Sequence, residues 1–241
     1  MSTVVFVGPS IHGSRLGHFP GIELRAPAAC GDLLRAAREG ATRIGLIDGL
    51  FEGQASVWHK EILVALTQGV RVLGAASMGA LRAAECHVFG MEGVGRIFEA
   101  YKSGLRTADS DVAVLHAPAE LAYLPLTIAL VDVEATIIGL SGRGIVHSEE
   151  VGMLSSQAAQ LHFKERTWQR ICSCLSAARQ AAVLHAIQNF AVSQKRMDAE
   201  DLLARIAGPM ATTITSDFTR QDLSHTVFLD ALEGRLSSRV N

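Results

Sequence analysis

Val70-Arg71-Val72-Leu73-Gly74-Ala75-Ala76-Ser77-Met78-Gly79-Ala80-Leu81-Arg82-Ala83-Ala84-Glu85 changes its periodicity midway. Residues 70–76 are a short apolar run after Gly69, the pattern of a buried strand. From Ser77 onward Leu81, Ala84 and Val88 recur at helical spacing until Gly90. The same alternation extends to both sides. Upstream, residues 43–48 form an apolar strand ended by Gly49, and Ser56 opens a helix running to about 68 with Ile62, Leu63 and Leu66 on one face. Further back lie a strand at 3–7, a weaker one at 22–26 and a helix at 32–39 closed by Gly40. Downstream, a helix over 94–102 precedes Gly104, and residues 111–116 read as a fifth strand. Strands too apolar for one wet face, alternating with helices, predict a parallel sheet covered by helices. The expected fold class is therefore α/β, Rossmann-like or flavodoxin-like.

Beyond this core the texture changes. Residues 121–140 fit a helix or a strand equally well, and from 148 onward the chain reads as helices. One of these has start signals at Asp198 and Asp201 and a stop at Gly208-Pro209. The expected organisation is a core domain over 1–147 and a helical C-terminal region over 148–241.

Composition narrows the functional classes. With 49% hydrophobic residues and a net charge of -2, the chain lacks the basic excess of a nucleic-acid surface. Two Trp and two Tyr supply no stacking stripe for bases. No apolar run approaches a membrane span, and the N-terminal stretch lacks the features of a signal peptide. Cys30, Cys86, Cys172 and Cys174 have no zinc-site spacing, and the histidines show none either. The expectation is a cytoplasmic protein without metal or cofactor, contacting neither nucleic acid nor membrane.

In an open parallel sheet, ligands sit beyond the carboxyl ends of the strands. Gly8-Pro9-Ser10, Asp48-Gly49 and Ser77-Met78-Gly79 all fall there. A serine between a buried strand and a helix, with glycine two positions on, resembles a nucleophile elbow, although position 75 is Ala where that pattern has Gly. Small residues at 75, 76, 79 and 80 permit a tight crossing. The alternative is that Ser77 simply caps its helix. His59, in the first turn of its helix, is placed to accept a proton, and Asp48 to orient it; an ordinary surface histidine and a turn aspartate are the competing reading. Arg82 and Glu85, three apart, either pair with each other or leave Arg82 to reach an anionic ligand. No G-x-x-x-x-G-K-[ST] phosphate loop occurs, which counts against a nucleotide-binding accessory.

Several of these stretches resemble the TfuA family: Val5-Phe6-Val7-Gly8-Pro9-Ser10, Ile47-Asp48-Gly49-Leu50-Phe51, Val57-Trp58-His59-Lys60-Glu61-Ile62-Leu63, Gly74 through Glu85, and Phe89-Gly90-Met91-Glu92-Gly93-Val94-Gly95. Together they span about residues 4–116; the segment Ala26-Pro27-Ala28-Ala29-Cys30-Gly31-Asp32 departs from the family in lacking a second proline. The resemblance implies a partner of a YcaO enzyme, which activates a peptide amide with ATP while sulfur replaces the amide oxygen. It further implies sulfur arriving from a thiocarboxylated carrier protein or as sulfide, a precursor peptide presented by YcaO, and a thioamidated product of the ribosomal-peptide (RiPP) type. Joined to the residues above, the expected activity is a thiocarboxylate hydrolase: Ser77 as nucleophile, His59 as base, Asp48 behind it, and the Met78 and Gly79 amides holding the oxyanion. Gly8, Pro9, Ser10, Arg82 and Glu85 complete the expected substrate-binding set. The alternative is a non-catalytic module that grips carrier or YcaO at the same crevice, with the helical region docking YcaO or joining a homo-oligomer.

Overall fold

A computed structural model describes residues 2–14, 19–50, 52, 54–209 and the positions 219, 223, 226, 227, 229–231 and 234. Its sheet has five parallel strands: β1 (Ser2–Phe6), β2 (Ile22–Arg25), β3 (Ala41–Leu46), β4 (Arg71–Ala75) and β5 (Glu92–Val94). They lie in the order β2-β1-β3-β4-β5, which selects the flavodoxin-like arrangement of the two expected. Between them run α1 (Asp32–Arg38), α2 (His59–Thr67) and α3 (Met78–Cys86), with α4 (Gly95–Lys102) following β5.

The passages β2 to β3, β3 to β4 and β4 to β5 all advance the same way across the sheet. Right-handed crossovers therefore put α1, α2 and α3 on one face. There Leu33, Ile62 and Ala80 pack with Val4, Phe6, Ile44, Leu46 and Val72. The alternate strand residues Val5, Val7, Ile47, Leu73 and Ala75 point the other way and need a second cover. Helix α9 (Gln194–Ala207) supplies it with Ala199, Leu202, Leu203 and Ile206.

Between core and α9 the chain builds a helical body of α5 (Leu130–Gly142), α6 (Ser148–Gln160), α7 (Trp168–Cys172) and α8 (Ala177–Phe190). Leu130, Val133, Ile137, Leu154, Ile171 and Val183 form its centre. It begins at α5, so the boundary expected near 147 falls between two of its helices, and α9 returns to the sheet. No helix among the described residues is long and apolar enough to cross a membrane.

The expected fifth strand at 111–116 is not the one that forms. Residues Asp109–Asp111 make a 3-10 turn, and His116 makes an isolated bridge to Pro125. The edge beside β4 is taken by Glu92, Gly93 and Val94, too short a run to show a period, and Arg71 holds Glu92 in a bidentate ion pair at 2.6 and 2.9 Å. The ambiguous segment 121–140 enters a helix at Leu130. Helix α9 starts ahead of Asp198, capped by the Ser193 hydroxyl, which accepts from the Arg196 amide at 3.2 Å. Asp198 instead receives the Ile97 amide at the start of α4, at 2.8 Å.

Candidate functional site at the carboxyl edge of the sheet

The crossing from β4 into α3 is the tightest local feature of this edge. A Cβ on Gly79 would lie 1.7 Å from the Leu46 carbonyl oxygen, and one on Gly74 would lie 2.1 Å from the Gly79 carbonyl oxygen. Both positions therefore exclude a side chain, and α3 starts in backbone contact with β3 and β4. The turn itself is bent at Ala76, whose φ is +64°, and the Ser77 amide donates to the Ala75 carbonyl at 2.7 Å. A hydrogen bond spanning two residues about a positive-φ centre is a strained γ-turn, uncommon for a residue with a Cβ. The strain sits one residue ahead of the serine. Ser77 is 3% exposed, and its hydroxyl makes no helix-capping hydrogen bond, so the simple cap is not what it forms.

Among the described residues, Asp48 makes no hydrogen bond to His59. Its carboxylate accepts from the Gly8 amide at 2.8 Å, the Ser10 amide at 3.1 Å and the Ser10 hydroxyl at 2.6 Å. These bonds clip the turn after β1, where Pro9 opens a 3-10 turn, onto the end of β3. His59 in turn places Nε2 2.7 Å from a Glu85 carboxylate oxygen that also accepts from Arg82 at 2.6 Å. Burial works to raise the Glu85 pKa, but the bonds from His59 and Arg82 prevail and hold it below the ordinary value. Arg82 also donates to the Val57 carbonyl at 2.7 Å, tying α3 to the loop before α2. Glu85 lies about 12 Å of helix beyond Ser77 at 1.5 Å per residue. The structure thus brings His59, Arg82 and Glu85 together, and separately Gly8, Ser10 and Asp48, with no hydrogen bond from His59 to Ser77 among the described residues. The Gly79 amide is likewise engaged, donating to the Ile47 carbonyl at 3.2 Å, so the expected oxyanion pair loses one member.

Sequence reasoning missed a lysine. Lys195, in the first turn of α9, is 3% exposed, and its ammonium donates to the Val112 carbonyl at 2.7 Å. Burial pushes its pKa down, against the pull of Asp48 and Asp132. Asp132, at the start of α5, accepts from the Lys195 amide at 2.9 Å and the Ser193 hydroxyl at 3.1 Å. Pro9, Ser10, His12, Asp132, Ser193 and Lys195 line a cavity of about 180 Å³ at the end of β1. A lysine among the polar residues 193–198 carries no sequence signal that it turns inward. Among the described residues, no cluster of three or more His, Cys, Asp or Glu side chains could hold a metal ion.

No curated protein matches the chain. Residues 48–167 match the model of a family described as TfuA-like protein, a span that contains Asp48, His59, Ser77, Arg82 and Glu85.

Proposed function

Because the chain belongs to the TfuA-like family, whose role is associated with thioamidation, we propose that it delivers sulfur to a YcaO enzyme by releasing sulfide from a thiocarboxylated carrier protein. The observation that carries this reading is the strained turn at Ala76, which holds an uncapped serine at the ligand-binding edge of the sheet. The Ser77 oxygen bonds to the carbonyl carbon of the thiocarboxylate, the carbon–sulfur bond breaks, and the hydroxyl proton departs with sulfur as hydrosulfide. Water then adds to the acyl-serine, restoring the hydroxyl and leaving a carrier carboxylate. The Met78 amide is the α3 donor left for the oxyanion. His59 relays that proton from the hydroxyl to the leaving sulfur only after exchanging Glu85 for Ser77, and Asp48 keeps the β1 turn in place.

Ser77 as a residue is 3% exposed, so carrier docking has to open the edge. That burial, with His59 held by Glu85, favours a second reading: a binding module that presents carrier to YcaO without chemistry of its own. Sulfide release from thiocarboxylated carrier, measured without YcaO, separates the two. Hydrolysis requires release by the wild type and a loss of at least about a hundredfold in Ser77→Ala. Equal release by both proteins rules out the serine mechanism, and carrier binding without any release selects the module.

A further inference from the structure

The strand order reverses between β1 and β3, and ligands of open α/β sheets bind at that switch point. Here Gly8 and Ser10 are clipped to Asp48, and the cavity reached by Lys195 opens beside them. An ammonium carries three donors. Among the described residues Lys195 has one hydrogen-bond acceptor, the Val112 carbonyl, so two N–H groups remain in an interior where unmet donors are costly. Its charge is already opposed by Asp48 and Asp132. Two carboxylates already face one ammonium, so a further anion would be repelled and the fitting partner is a neutral acceptor such as a peptide carbonyl. The cavity is small, about 180 Å³. That admits a narrow chain of small residues and excludes bulky side chains.

We infer that Lys195 is a positioning residue for an extended peptide tail, holding backbone carbonyl oxygens of its last residues in this cavity while the C-terminal carbon reaches Ser77. The spacing agrees: the ends of β1 and β4 are two strand spacings apart, about 10 Å, which about three extended residues span. The inference rests on the reading of Ser77 as the point of attack, and it gives the positioning role to Lys195, which lies outside the span that matches the family model.

The test titrates the intact protein with carrier in its carboxylate form, comparing wild type with Lys195→Met and with Val114→Phe, which fills the cavity from another wall while leaving the lysine in place. Each variant is expected to raise Kd at least about tenfold, the loss of one good hydrogen bond. Sulfide release from thioacetate, which has no tail, is expected to stay within about threefold of wild type. Unchanged carrier Kd in both folded variants means the cavity holds water alone, and the inference fails. It fails too if Lys195→Met slows thioacetate and carrier equally, because the lysine then serves the fold or the chemistry. A wild type that releases no sulfide while the Kd shift persists sinks the hydrolase reading and leaves the tail subsite standing.

Discussion

Asp48 accepts three hydrogen bonds from the turn after β1, and it is 1% exposed. Hydrogen bonds to a charged buried group are worth about 1.5–3 kcal/mol each, and an amide cannot accept at both ends. Asp48→Asn is therefore expected to lower unfolding free energy by about 2–3 kcal/mol, read from urea melts. Ser10→Ala, which removes one donor, should cost about 1–2 kcal/mol. A neutral Asp48→Asn would mean that the clip contributes nothing. The residue type and the edge position of Asp48 were legible in the sequence, as were those of Ser77. Partnership was not. Gly8 and Ser10 lie on another strand end, and His59 found a carboxylate on α3 before it could meet a hydroxyl.

The crossing from β4 to α3 shows what an element can announce. Gly74, Gly79 and the small residues around them are the sequence trace of a helix started in backbone contact with two strands. The bend at Ala76 left no trace, since alanine is not the residue expected at positive φ. Ala76→Gly would relieve about 1–2 kcal/mol of left-handed strain. It would also lose about 0.8 kcal/mol for a buried methyl and about 0.5–1 kcal/mol for added backbone freedom. Near-cancellation is expected: stability within about 1 kcal/mol of wild type. A sulfide-release rate reduced together with unchanged stability would tie the bend to Ser77 placement. An unchanged rate would show that the strain is incidental.

At the scale of the molecule, stability depends on how two helical layers enclose one sheet. Glu61 is fully buried between α1 and α2, accepting from the Gly31 amide at 3.0 Å and the Trp58 amide at 2.8 Å. Burial, only partly offset by those bonds, raises its pKa from 4.5 to about 7. Between those values the folded state holds a proton that the unfolded chain has released. Its contribution therefore falls as pH rises from 4.5 to 7, by at most about 3 kcal/mol, and is level above. Glu61→Gln should gain stability relative to wild type across that window, measured by urea melts at each pH. A difference constant with pH would refute the assignment. The sequence by itself determined the alternation of apolar strands and helices, the small residues at the crossing and the polar strand ends, because each is a local pattern of period and size. Tertiary structure alone decided that β5 forms at 92–94, that α9 covers the second face and that Lys195 turns into the β1 cavity. Those outcomes depend on which surface remained to be covered, and chain neighbours carry no information about it.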